Sequence, residues 1–306
     1  GRTGALASGI YLAFSPTALV ASRQVAGTAI AAAGAVASVG GLFRFLETEN
    51  RRWLMFGAVS LSVAITSGAA VYGLLLPLAL AWILASRPEL GGRTIGGRHA
   101  VSLLKDSASQ FLLVLTLSAL ALSTGLGWNP SGLGGVGALL ADWFERFQAA
   151  DAVVASPVTL LVVYELLGVV FGVGGLIWGL RYDRYWAVLL GLWTGLAAAL
   201  LMIMPGRMPT DLIWVVVPMA MLVGLAARAV LSLHWPARVG PNVAYGALVL
   251  ILWAQWYLAA ARYTVSGQRV DLAMAVAVLG LQVLLGLGFA FLLGTDSAVR
   301  TAAAGT

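Results

Sequence analysis

Few residues in this chain carry groups able to do chemistry, and most lie at the edges of long apolar runs. Glu165 follows Tyr164 about one and a half turns into an apolar segment running over 158–180. A charge in that setting costs roughly 2.5–3.5 kcal/mol on membrane-insertion scales, so such residues face protein or water and often take part in function. Gly168, Gly172, Gly175 and Gly179 follow Glu165 at helical spacing. They form a stripe of small residues that lets another helix approach closely. Glu165 therefore shares a helix-contact face, where it serves either a substrate or a hydrogen bond to a neighbouring helix. Arg23 follows Ser15-Pro16 and Ser22, and Arg207 and Asp211 share the short turn PGRMPTD. Arg262 and Tyr263 open a further loop. Each is an interfacial anchor on its own. Together they place guanidinium and carboxylate groups at one mouth of a helix bundle, a pattern that suits phosphate, whose oxygens match the planar fork of Arg.

Other chemistries are poorly served. There are no cysteines, which excludes disulfides, thiolate metal sites and iron–sulfur clusters. His99 and His234 stand far apart in loop-like surroundings, whereas a zinc site needs several clustered ligands. No metal site is assigned. The glycine-rich stretch GGRTIGGRH, within the connector Ser86–Gln110, lacks the Lys-Ser/Thr that a phosphate loop places after its glycines.

The elements that position these residues follow from composition. The 306 residues are 60% hydrophobic and 10% charged, with mean hydropathy +0.94. Soluble domains carry about 25% charged residues. Recurrent apolar runs of roughly 18 or more residues mean membrane helices. The expected fold is all-α: a polytopic transmembrane bundle of about ten spans, read as one domain over 1–306. The spans are placed at about 4–20, 25–46, 53–69, 71–86, 109–124, 158–180, 185–204, 212–232, 242–261 and 271–293, with a tight hairpin through Thr66–Ala70. Pro77 and Pro218 are the mid-span interruptions that the pattern shows, and no internal repeat is visible.

With the N-terminus inside, thirteen of the eighteen basic residues fall in cytoplasmic loops. That asymmetry accounts for the net charge of +6 without nucleic acid as a partner. It places residues 125–157 outside the cytoplasm. Asn129-Pro130-Ser131 is no glycosylation triplet, because proline stands at its centre. Pro130 and Ser131 instead suit a helix start. Leu133, Val136, Leu140, Trp143, Phe144 and Phe147 then recur on one face, opposite Asp142, Glu145, Arg146 and Gln148. This is the pattern of an amphipathic helix lying in the membrane interface, either closing the bundle or roofing a lipid-facing cavity.

Several stretches, in order, resemble the multi-pass GT-C glycosyltransferases that use polyprenyl-phosphate sugars, a superfamily including protein O-mannosyltransferases and aminoarabinose transferases. The likeness is nearest to the prokaryotic flippase-activity-associated branch. The carrying residues are Ser15-Pro16 with Ser22-Arg23, Phe45-Leu46-Glu47 with Arg51-Arg52-Trp53, Asn129-Pro130 with Gly132, Trp143, Tyr164-Glu165, and Arg207-Met208-Pro209 running into Val217-Pro218. They spread over most of residues 5–232. The resemblance implies transfer of a sugar from a polyprenyl-phosphate lipid to an acceptor at the extracytoplasmic face of a prokaryotic plasma membrane. Arg23, Tyr164, Glu165, Arg207 and Asp211 would then contact the substrate, and no catalytic residue is assigned. The reaction implied is metal- or acid-assisted, so a divalent metal is compatible as cofactor. The family's acidic first external loop would precede residue 1, and the chain is accordingly read as a fragment of a longer one. No acid follows Arg23 in Gln24-Val25-Ala26-Gly27-Thr28, where the family carries an aspartate. Two alternatives stand beside this reading: a lipid or sugar transporter, which broken helices would favour, and a non-catalytic subunit of a glycosylation complex.

Overall fold

The computed structural model describes residues 2–24, 27–86, 97–149, 157–232, most of the helical residues between 245 and 263, and 268–293. Expectations for the glycine-rich connector at 87–96, for His234 and for Arg262 lie outside the described residues, and so does the side chain of His99. All regular elements described are helical: α1 Arg2–Phe14, α2 Pro16–Arg23, α3 Thr28–Thr48, α4 Arg51–Ser67, α5 Ala70–Ala85, α6 Gly97–Ser123, α7 Gly132–Glu145, α8 Pro157–Tyr164, α9 Leu166–Tyr182, α10 Arg184–Ile203, a 3-10 turn Pro209–Leu212, α11 Ile213–Ser232 and α12 Arg269–Leu293. Several of these helices are apolar along their full length, as in an integral membrane protein.

The count of ten spans is not reached. Five described helices are long and apolar enough to cross a bilayer, or seven when two bent pairs each count as one. The apolar helix α5 has 16 residues and α4 has 17, short of the roughly 20 that a crossing needs. The expected span at 242–261 is only partly described. The sequence reading also missed where helices break. Pro77 and Pro218 lie inside the continuous helices α5 and α11. The breaks come at Ser15, where α1 and α2 meet at 61°, and at Glu165, where α8 and α9 meet at 94°. Pro16 accounts for the first, because it has no N–H to continue the α1 ladder and its ring crowds the preceding turn. It then serves as the first residue of α2 behind the N-cap Ser15. No proline or glycine stands at the second.

The centre of the bundle is α11, packed against α1, α9 and α10. Small residues make this possible. A Cβ at Gly4 or Gly224 would lie 2.9 or 2.5 Å from the other's carbonyl oxygen, so α1 and α11 touch backbone to backbone. On α9, a Cβ at Gly175 would stand 2.0 Å from the Leu222 carbonyl oxygen, and one at Gly172 3.0 Å from Met219. Elsewhere, Trp214 fills the space above Gly73, and the Trp193 indole N–H donates to the Leu74 carbonyl at 3.0 Å. The α4–α6 contact is fixed by Ser62, whose Oγ meets Ser118 Oγ at 2.6 Å.

Two adjacent glycines separate packing from composition. Gly175→Ala will lower the unfolding midpoint in detergent, by an overpacking cost of about 1–3 kcal/mol. Gly174→Ala, whose Cβ meets nothing within 4 Å, will leave the midpoint unchanged or slightly raised. Circular-dichroism melts of the two variants check this.

Candidate functional site

The two breaks face one another, and Glu165 joins them. Its side chain is 2% exposed. Ser15 Oγ–H donates to Oε1 at 2.5 Å, the Thr17 backbone N–H donates to the same oxygen at 3.0 Å, and the Tyr11 hydroxyl donates to Oε2. The arrangement follows from helix ends. The first N–H groups of α2 have no intrahelical acceptor. Ser15 caps one through Ala18 N–H at 3.2 Å, and Glu165 satisfies another at Thr17. The positive end of the α2 dipole also favours a carboxylate there. No cation among the described residues pairs with Glu165. Its bonds are charge-assisted and correspondingly strong, which offsets part of the desolvation of the carboxylate. A Cβ at Gly168 would lie 1.9 Å from the Tyr11 hydroxyl oxygen, so the glycine one turn beyond Glu165 makes room for Tyr11 to reach it.

The joint forms one wall of a cavity of about 570 Å³. Tyr11, Ser15, Tyr164 and Glu165 contribute from the breaks, and Trp253, Trp256 and Tyr257 close the far side. The remaining described lining is apolar, with no Lys, Arg or His among the described residues. Trp256 is 5% exposed, and its indole nitrogen has no acceptor among the described residues. Leaving such a group unpaired costs about 1–3 kcal/mol.

A second arrangement ties α7 down. One guanidinium nitrogen of Arg146, Nη1, contacts both carboxylate oxygens of Asp211 at 3.2 Å. Asp211 also accepts the Met208 backbone N–H at 2.8 Å, and the Arg146 carbonyl accepts the Gly206 N–H at 2.9 Å. Trp143 is buried between Tyr72 and Phe147, with ring centroids 5.8 and 5.1 Å away. Trp143 packs inward with Val136 and Phe147 half-buried, but Leu133, Leu140 and Phe144 are exposed. A separate cavity of about 450 Å³ lies between α7 and the ends of α4 and α6, lined by Thr66, Ser123, Gly135 and Val136 among others. The helix covers that space and not the Glu165 cavity, which it does not line.

Of the expected site residues, Tyr164 and Glu165 line one cavity together. Arg23 is exposed at the opposite end of α2 from Ser15. Asp211 is committed to Arg146. Arg207 is half-buried, donates from Nη1 to the Met204 carbonyl at 3.4 Å, and has an enclosed Nε with no acceptor among the described residues. It precedes the 3-10 turn, which packs against both α2 and α8, so it stands at the end of the bundle where the broken spans meet. Sequence reading missed Tyr11, Thr17, Arg146 and the Trp253–Tyr257 group as site-forming residues. A hydroxyl four residues before Ser15-Pro16 in an apolar run was the available signal for Tyr11. Among the described residues no three His, Cys, Asp or Glu side chains group closely enough to hold a metal. The chain matches no protein-family model, no curated protein and no solved structure.

The ion pair makes a testable asymmetry. Arg146 is 23% and Asp211 4% exposed in their side chains. Asp211→Ala alone will destabilise more than the double replacement Arg146→Met with Asp211→Leu, because the single change strands a partly buried charge. A double-mutant cycle with alanine at both positions will return a coupling of about 0.5–3 kcal/mol in denaturant unfolding.

Proposed function

We propose that this is an integral membrane protein that binds a polyprenyl-phosphate-linked sugar at its extracytoplasmic end and transfers the sugar to an acceptor. One observation carries the reading: a buried carboxylate, held by neutral donors, on the wall of a largely apolar cavity that aromatic rings close. Apolar walls suit a prenyl chain, and the faces of Trp253, Trp256 and Tyr257 suit a sugar ring, which stacks its C–H surface on aromatic side chains. Arg207, at the same end of the bundle, supplies a guanidinium for the phosphate, its Nε having no acceptor among the described residues. Charge grows on the phosphate as the glycosidic bond breaks, and a fixed cation lowers that barrier. Arg23 lies further out, as a steering charge. The basic-residue asymmetry supports a cytoplasmic N-terminus, which puts α7 and the 204–212 turn outside, in the plasma membrane of a prokaryote if the resemblance is followed.

A second reading, transport of a lipid or sugar, is favoured by one specific observation. Two broken spans meet at a polar joint, the arrangement that secondary transporters use for their substrate sites.

Reconstitution in liposomes with a radiolabelled polyprenyl-phosphate sugar separates the two. Transfer of label to an acceptor, reduced at least about tenfold by Glu165→Gln, is the expected result, equivalent to about 1.4 kcal/mol or more of lost stabilisation. Undiminished transfer by a folded Glu165→Gln protein would remove the joint from the site. Movement of the intact donor across the bilayer without transfer would establish the transport reading instead.

A further inference from the structure

The chain carries no charged residue from Ser107 to Ala141. That stretch takes in most of α6, the turn after it and most of α7. Turns elsewhere differ: Glu49-Asn50 precedes Arg51 and Arg52, and Asp183 lies between Arg181 and Arg184. The apolar part of α6, Lys105–Ser123, has no buried residue, and Leu112, Leu113, Leu117 and Leu120 are exposed along it. Its 19 residues rise about 28 Å, close to the roughly 30 Å of a hydrocarbon core. With Lys105 at one edge of the bilayer, Ser123 reaches the other, and the turn at 124–131 falls at headgroup level.

The turn is built for lipid. Each backbone N–H from Thr124 to Asn129 donates within the segment, including Leu126 to the Ala121 carbonyl at 2.7 Å, Gly127 to Thr124 Oγ1 at 3.0 Å and Asn129 to the Thr124 carbonyl at 2.8 Å. Water supplies acceptors freely, whereas lipid supplies none, so only immersion in lipid requires this self-sufficiency. The same bonds hold Leu126 at φ 60°, between Gly125 at 55° and Gly127 at 94°, a left-handed conformation that a bulky residue rarely takes. The turn presents its two large apolar side chains outward, Leu126 82% and Trp128 92% exposed. Tryptophan is the residue enriched at headgroup depth. On α7 the apolar face divides. Trp143, Val136 and Phe147 serve the bundle, and Leu133, Leu140 and Phe144 remain exposed. At 3.6 residues per turn these last three fall within about 40° of one another, with Asp142 opposite them.

We infer that the turn at 124–131 and the outward face of α7 form a membrane-inserted surface, with Leu126, Trp128, Leu133, Leu140 and Phe144 entering the leaflet in which α6 ends. The occupant of this surface is phospholipid. The surface continues the lipid-facing side of α6 without interruption, and it is uncharged until Asp142. α7 then lies along the interface with Asp142 turned to water, and Trp143 and the Arg146–Asp211 pair hold it to the bundle. The inference rests on the chain being an integral membrane protein and not on the transfer chemistry.

The chain has no cysteine, so a single introduced cysteine carries the only nitroxide spin label. Leu126→Cys, Trp128→Cys and Leu140→Cys are prepared in the full chain, with Leu117→Cys on α6 as the bilayer reference and Asp142→Cys as the aqueous one. Each is reconstituted in liposomes of phosphatidylcholine and phosphatidylglycerol. Power-saturation electron paramagnetic resonance compares collisions with oxygen, which concentrates in the bilayer, and with a water-soluble nickel chelate. Oxygen collisions are expected to exceed nickel collisions at 126, 128 and 140, as at 117, and the order to reverse at 142. Nickel in excess at any of the first three positions overturns the inference. Low access to both reagents there also overturns it, because a second copy or another protein then covers the surface. Nickel in excess at 117 would instead overturn the membrane reading of α6 itself. Where Leu126→Cys fails to fold, the other two positions decide.

Discussion

A helix broken inside a membrane leaves backbone donors that lipid cannot satisfy, and this chain meets that constraint with a local serine and a distant carboxylate. The first turn of α2 needs acceptors because Pro16 ends α1 there. Ser15 provides one for Ala18 and Glu165 another for Thr17, the latter from 148 residues away in sequence, and Glu165 in doing so sits at its own bend between α8 and α9. Neither break is self-sufficient. The carboxylate stabilises the α2 terminus, while the α2 terminus and two hydroxyls make burial of the carboxylate tolerable. The cavity lies beside that joint, with Tyr11, Ser15, Tyr164 and Glu165 in its wall.

The rest of the bundle holds the joint in register. α11 lies between α1 and α9, and the glycines on all three bring their backbones into contact. Dispersion and close packing thereby replace the hydrophobic drive that lipid does not supply between helices. The 3-10 turn ahead of α11 touches α2, α8 and α10, and through Asp211 it holds α7. α11 thus contacts both α9, which follows Glu165, and the turn that holds α7.

Much of this was legible in the chain, and the reasons for the remainder are physical. Apolar runs marked the helices, the Gly168–Gly179 stripe marked the α9 contact face, and the position of Glu165 on that face marked it as inward. The turn through Thr66–Ala70 was equally plain, since α4 ends at Ser67 and α5 begins at Ala70. Breaks were misplaced because proline was weighed alone. Pro77 and Pro218 are themselves fully buried within continuous helices, whereas Pro16 acts together with a serine cap and a distant acid. The bend at Glu165 has no local signal, and its partners, Tyr11 and Ser15, belong to another span. The Arg146–Asp211 pair, separated by 65 positions, is invisible to periodicity for the same reason. It also explains why the burial of α7 centres on Trp143 and not on the whole apolar stripe.

The separation between Glu165 and its donors has a consequence for biosynthesis. Tyr11 and Ser15 enter the membrane about 150 residues before the carboxylate that they bond. During that interval, as six further helices are made, the N-terminus of α2 has its own serine cap and no other protein acceptor. The first interrupted span therefore gains its carboxylate partner only once residue 165 has been made. Chains halted before residue 165 lack the one group that closes the joint.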